Sequence, residues 1–330
     1  MGKTLYLFSQ GKLSRKANTL FYESDAGKQY VPVEAVDEIY VFGDVEMNRG
    51  LMSLAAEHRL TVHVFGFYDN YVGSFCPESG MSSGTMLVEE VKCYIEVQRR
   101  MRIARAFTWG AAMNILKILH YYHRRGHACN DTGTMIAQET QKIPTTQAIP
   151  YLMGIEATIR KAYYATFDAI VSDTTFAFEK RTKRPPENPM NALISFGNTV
   201  LYSKVLSAIR ATHLDPRIGF LHESNDRAHS LNLDIAEIFK PVITDRTIFS
   251  LINKKMLTKD DFRPHKGGVY LTDTGKKKFI QMFEEKLNAT VSLKGMNRPM
   301  KYKEIIHAEC LKLENHIMTG EEYAPFVAEW

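Results

Sequence analysis

The change of texture near Cys76 constrains the fold more than any other feature of this sequence. Before it, Thr4 to Ser9, Asn18 to Glu23, Gln29 to Val33, Glu38 to Phe42, Thr61 to Phe65 and Tyr71 to Phe75 are short and rich in β-branched and aromatic residues. Gly, Asn, Asp or Ser separates many of them, which predicts strands and turns. One helix interrupts, from about Asn48 to His58, with Leu51, Leu54 and Ala55 at helical spacing. Residues 1–75 therefore predict a small β-sandwich domain with one helix. Residues 76–86 turn small and polar, with Pro77, Gly80, Ser82, Ser83 and Gly84, and read as a linker.

From residue 87 to 330 the pattern is helical. A long helix is expected over Leu87 to Tyr122, broken near Gly110 and stopped at Arg125-Gly126. Others are expected near Thr145 to Ser172, Asn188 to Thr212, Leu231 to Asn253 and Gly275 to Leu287. The fold class is α+β in two domains: an N-terminal β-sandwich and a larger all-α C-terminal domain that carries the chemistry.

Composition narrows function mainly by exclusion. Lys and Arg outnumber Asp and Glu by 42 to 37, a net charge of +5. That excess is compatible with a polyanionic partner only where the positive charge clusters. Cys76, Cys93, Cys129 and Cys310 form no C-x-x-C pair, so a zinc ribbon or redox motif is excluded and reduced thiols are expected. The N-terminus has no apolar signal core and no run of 18 apolar residues occurs, so a cytoplasmic protein without a membrane span is expected. Gly2-Lys3-Thr4 lacks the upstream glycine of a P-loop, and neither G-x-G-x-x-G nor G-x-S-x-G is present, so no cofactor-binding motif is assigned. His120, His123 and His127, beside Arg124 and Arg125, read as a basic helix end rather than a metal site.

Three acids and one histidine stand out. Leu152, Ile155, Ile159 and Tyr163 form one apolar helical stripe, and Glu156 lies within it. A carboxylate facing a core must be paired, hydrogen-bonded or metal-bound, and a neighbouring Arg would also satisfy it. Asp234 and Glu237 share a helix face beside the apolar Leu231, Ile235, Ile238 and Val242. Between these helices His222 ends a short apolar run and precedes a polar loop, Ser224 to Ser230. A hydrogen-bonded structural histidine is one reading. Two carboxylates and an imidazole from separate elements are also a workable ligand set for Mg²⁺ or Mn²⁺.

Five segments in order resemble one family. They are Leu152-Met-Gly-Ile-Glu-Ala157, Phe176-Ala-Phe-Glu-Lys-Arg-Thr-Lys-Arg-Pro-Pro186, Asn188 to Tyr202, Leu214-Asp-Pro-Arg-Ile-Gly-Phe-Leu-His-Glu223 and Leu233-Asp-Ile-Ala-Glu-Ile-Phe-Lys-Pro241. Together they are similar to the first CRISPR-associated protein family, the Cas-one integrases of CRISPR adaptation, in wording closest to type I systems. The resemblance places Glu156, His222 and Glu237 on the family's three metal ligands and Asp234 on an auxiliary acid. The third ligand is often Asp in the family and is Glu237 here, a longer arm with the same hard oxygen donor. Glu187 likewise stands where Asp is common.

The resemblance implies phosphoryl transfer on DNA, in which a protospacer 3′-hydroxyl attacks a phosphodiester at the repeat boundary with Mg²⁺ or Mn²⁺ as cofactor. It implies double-stranded DNA (protospacer and CRISPR repeat) as substrate, a homodimer formed with help from the β domain, and a Cas-two partner. Lys240, nearly one turn after Glu237, is expected to reach a phosphate. The cluster Lys180, Arg181, Lys183 and Arg184, and the series Arg99, Arg100, Arg102 and Arg105, are candidate DNA contacts. Two rivals stay open: a stand-alone metal-dependent nuclease or junction-resolving enzyme, and a non-catalytic DNA-binding scaffold.

Overall fold

The computed structural model describes residues 2–77, 83–223, 228–292 and 298–329. The chain divides near residue 80 into two compact units. In the first, β1 (Lys3–Leu7), β2 (Gly11–Lys16), β3 (Thr19–Ser24), β4 (Gly27–Pro32), β5 (Val36–Val41), β6 (Val45–Met47), α1 (Arg49–Glu57), β7 (Thr61–Phe65) and β8 (Tyr71–Phe75) follow in order. They build two four-stranded sheets, ordered β1-β5-β7-β8 and β4-β3-β2-β6. Strands β1, β5 and β7 are parallel, and β8 closes the sheet antiparallel to β7.

Alternation along β5 shows why the pattern works. Ile39 and Val41 enter the core with Leu13, Leu20, Leu51 and Leu54. Tyr40 and Phe42 point to the opposite face, where the Phe42 and Phe65 rings stack at 4.3 Å. Asn48 caps α1 by accepting from the Leu51 amide at 3.0 Å, an arrangement worth about 1 kcal/mol. Strands β2 and β6 were not expected from sequence: Gly11-Lys-Leu-Ser-Arg-Lys16 carries three charges, at Lys12, Arg15 and Lys16, and only Leu13 is fully buried.

The second unit comprises α2 (Gly84–Ile95), α3 (Val97–His123), α4 (Asn130–Thr140), α5 (Ile149–Tyr164), α6 (Phe167–Ile170), α7 (Pro189–Arg210), α8 (Leu231–Phe239), α9 (Arg246–Asn253), a hairpin of β9 (Phe262–His265) and β10 (Gly268–Leu271), α10 (Asp273–Asn288), the short β11 (Thr290–Val291) and β12 (Met300–Lys301), and α11 (Tyr302–Thr319). Helix α3 lies against α2, α4, α5 and α8.

Several expectations need correction. Helix α2 begins at Gly84 with Ser83 as its cap, inside the segment read as linker, whose residues Gly80 and Ser82 fall outside the described residues. The first long helix breaks at Glu96, not at Gly110, which sits mid-helix in α3. A Cβ on Gly110 would lie 2.8 Å from Pro325 Cβ, so the glycine serves close packing rather than a break. The expected helix from Leu231 to Asn253 is α8 and α9 joined by a π-turn over Pro241–Asp245, because Pro241 has no N–H for the α-helical ladder. Helices α4 and α11 had no expected counterpart. Most of the polar loop after His222 (224–227) lies outside the described residues.

Helix α7 is long and apolar enough to cross a membrane by composition, yet 67% of that window is buried inside the protein. Buried residues occur all around it because neighbouring elements cover it on several sides.

Candidate active site

Asp234, fully buried in the first turn of α8, organises the loop that carries His222. Its Oδ2 accepts from the amides of Phe220 at 2.6 Å and Leu221 at 2.9 Å. Its Oδ1 accepts from the His222 amide at 2.9 Å and from His222 Nδ1 at 2.7 Å. With Nδ1 donating to this carboxylate, the neutral imidazole keeps Nε2 as its acceptor. Burial depresses the His222 pKa, but hydrogen bonding and charge from Asp234 outweigh it and the net shift is upward. The same loop is tied from outside: Arg100 Nε donates to the Phe220 carbonyl at 2.9 Å, and Gly219 donates to Ser230 Oγ at 3.0 Å.

One turn along α8, Glu237 is 4% exposed. Its two oxygens accept from Arg160 Nη2 and Lys240 Nζ. Burial opposes its ionisation, but the charges of Arg160 and Lys240 prevail and hold it well below the usual carboxylate range. Arg160 also reaches Glu156 Oε1 with Nε at 3.4 Å, so one guanidinium spans acids from α5 and α8. Lys240 lies 4.9 Å from the Tyr202 ring centroid, and Arg160 lies 5.9 Å from that of Tyr164. Asp245, in the π-turn, faces the same cations, yet burial dominates and lifts its carboxyl to about 7. Removing a partner from such a buried pair costs about 3–5 kcal/mol, because the remaining charge is stranded.

Glu156 and Glu237 thus meet at Arg160, Glu237 also meets Lys240, and the charges of Glu237 and Lys240 act on His222. The chemistry of Glu156, Glu237 and His222 suits a hard divalent cation: two carboxylates and an imidazole whose second nitrogen is held by a carboxylate, an arrangement that orients metal-binding histidines. As placed, however, no three His, Cys, Asp or Glu side chains among the described residues close around one ion. Glu237 is committed to Arg160 and Lys240, and Glu156 is turned to Arg160. An ion entering here has to draw carboxylate oxygens away from those cations.

Residues 5–285 match the family model described as CRISPR associated protein Cas1. A CRISPR-associated endonuclease Cas1 of Thermodesulfovibrio yellowstonii is 43% identical over 330 residues, the full length of both chains. The chain belongs to the Cas1 family. A second relative, the CRISPR-associated endonuclease Cas1 of Thermotoga maritima, is 40% identical over 97% of this chain and 98% of its own length. The solved structure of a CAS1 protein from Thermotoga maritima superposes with a TM-score of 0.87 at 39% identity, covering 97% of this chain and 98% of that one. A casposase bound to an integration product shares the fold at a TM-score of 0.89 and 20% identity, over 99% of this chain and 94% of that one.

The basic candidates fall into two groups. Lys240 lies at the acids, and the charges of both Glu156 and Glu237 act on Lys183. Lys183 is exposed, and desolvation at its ammonium, followed by the charges of Arg181 and Lys240, lowers its pKa. Arg184 and Lys180 are exposed. Arg181 instead donates to Asn191 Oδ1 at 3.0 Å and Ser195 Oγ at 2.9 Å, bracing the loop onto α7. On α3, Arg102 is exposed, whereas Arg99 donates to the Ile317 carbonyl at 3.2 Å and Arg105 to the Thr146 carbonyl at 2.8 Å. Sequence reading allowed a neighbouring Arg as partner of Glu156 without naming Arg160, and passed over Asp245. Arg160 was within reach of a spacing argument, because it follows Glu156 by four residues on one helix face. Asp245 was not, since the π-turn shifts its direction.

Proposed function

We propose that this chain is a metal-dependent DNA integrase of CRISPR spacer acquisition, joining protospacer 3′-hydroxyl ends to the repeat by transesterification. The observation that carries the reading is the junction of Glu156 and Glu237 through Arg160, beside a His222 aimed by Asp234. In this proposal Glu156, His222 and Glu237 hold Mg²⁺ or Mn²⁺, and Asp234 fixes the imidazole. Bound there, the cation would activate the attacking hydroxyl and offset charge on the nonbridging and leaving oxygens. Lys240 and Lys183 place positive charge beside the scissile phosphate, while exposed Arg184 and Arg102 engage the DNA backbone further out. Family membership supports the nuclease or integrase class, and the casposase seen on an integration product has the same fold.

The partners follow the same reading: double-stranded DNA, a second copy of the chain paired through the N-terminal unit, and a Cas2 protein in the cytoplasm. A chain of a Cas6-RT-Cas1–Cas2 complex shares the fold at 17% identity, with this chain spanning 36% of it. The deciding experiment is half-site integration of a short duplex into a supercoiled leader–repeat plasmid, with Mn²⁺ or Mg²⁺ and with or without Cas2. Strand joining that requires a free 3′-hydroxyl is expected. Cleavage by water alone, with no joined product under any of these conditions, would overturn the integrase reading in favour of a nuclease.

A further inference from the structure

Beyond Gly320, whose φ of +77° ends α11, residues 321–329 run without regular structure, yet Tyr323, Phe326 and Ala328 are buried. This segment lies past the stretch matched by the family model, which ends at residue 285. Its hydrogen bonds converge on two buried side chains. Glu309 Oε1 accepts from Tyr323 Oη at 2.5 Å and from the Phe326 amide at 3.2 Å. Asn114, fully buried on α3, accepts from the Ala328 amide at 2.8 Å and donates to the Phe326 carbonyl at 3.0 Å. Its remaining donor hydrogen reaches the carbonyl of Ile238 at 2.9 Å.

Ile238 is the residue after Glu237. The next one, Phe239, stacks its ring on Phe326 with centroids 5.4 Å apart and planes 10° apart. Gly110, one turn before Asn114, lets the segment close down: a Cβ there would lie 2.8 Å from Pro325 and 3.5 Å from Ile238. The end of α8 needs such support. Pro241 offers no N–H to the Glu237 carbonyl four residues back, and the chain opens into the π-turn at that point. Backbone hydrogen bonding alone therefore fixes the Glu237 Cα less firmly than a continuous α-helix would.

We infer that Asn114, together with the strap of residues 321–329, positions Glu237 for the reaction. This rests on Glu237 being a working residue of the proposed site. Asn114 touches no reacting atom; it acts through the Ile238 carbonyl. In Asn114→Asp the Ala328 bond survives, but an oxygen replaces the side-chain amide nitrogen that donated to two carbonyls. Turnover in strand transfer should fall roughly 10- to 100-fold, the scale of a misplacement near 1 Å, with KM for DNA unchanged. Amide hydrogen exchange should speed up within residues 231–245 and stay unchanged in the N-terminal unit. If Asn114→Asp does not fold, Phe326→Leu, which keeps apolar volume and removes the ring stack, is read by the same two measurements. A folded variant with normal turnover and unchanged exchange over 231–245 would sink the inference. Glu237→Gln run alongside separates the two ideas: full strand transfer in that variant would defeat the role given to Glu237, while exchange still reports whether the strap holds α8.

Discussion

The two units of this chain bury different kinds of group. Among the described residues of the N-terminal unit, the buried polar or charged residues are His63 and Asp69, and the rest of its interior is apolar or aromatic. The helical unit buries Glu90, Asp234, Glu237, Lys240, Asp245 and Glu309. Burial of an apolar group needs only the right face of the chain, whereas each buried charge needs a specific partner at a specific distance. The first unit is therefore the more tolerant of the two. The second is held to a geometry, and the candidate site lies where the partners are most crowded. Asp234 and Glu237 make the same point within one helix. One takes hydrogens from a loop and sets a histidine; the other is balanced between two cations.

Three substitutions test this contrast. The largest effect is expected at Glu237→Gln, which should lower strand transfer by roughly 10²–10³-fold, the scale of losing one preorganised charged group, while DNA retention in a gel-shift assay persists. Wild-type joining rates would remove the acid from the mechanism and weaken the distinction between the units. Next, Leu54→Ala in the core of the first unit should cost about 2–5 kcal/mol in denaturant unfolding, as expected for an emptied leucine site. Strand transfer per folded molecule should be unchanged; a loss comparable to that of Glu237→Gln would mean that the apolar unit takes part in the chemistry.

The smallest effect concerns Glu90, whose Oε2 accepts from the Asp215 amide at 2.8 Å while Oε1 is buried without a partner. Burial lifts its pKa from 4.5 to about 8, with Asp215 and Glu314 adding to the rise. The folded state then keeps a proton that the unfolded chain releases. Its contribution to stability is full below pH 4.5 and is lost as pH rises to about 8, on the order of a few kcal/mol. Glu90→Gln should flatten that decline in melting curves recorded between these limits, and an unaltered slope would show that Glu90 is already ionised in the fold.

The sequence by itself determined the division into a strand-rich and a helical part, because periods of 2 and 3.6 residues mark which face each segment buries. It also offered Glu156, His222, Asp234 and Glu237 as candidates, but periodicity only permitted a site there, and the resemblance to the Cas1 family is what joined them into one. Tertiary structure alone decided the rest. Gly110 looks like a helix break until Pro325, more than 200 residues later, is seen pressed against it. Arg99 and Arg181 read as free cations until Ile317, Asn191 and Ser195 take their hydrogens. That Arg160 joins Glu156 to Glu237 across 77 residues is likewise invisible along the chain. Local periodicity records which way a side chain faces; what it meets there depends on segments far away in sequence, and only packing brings those together.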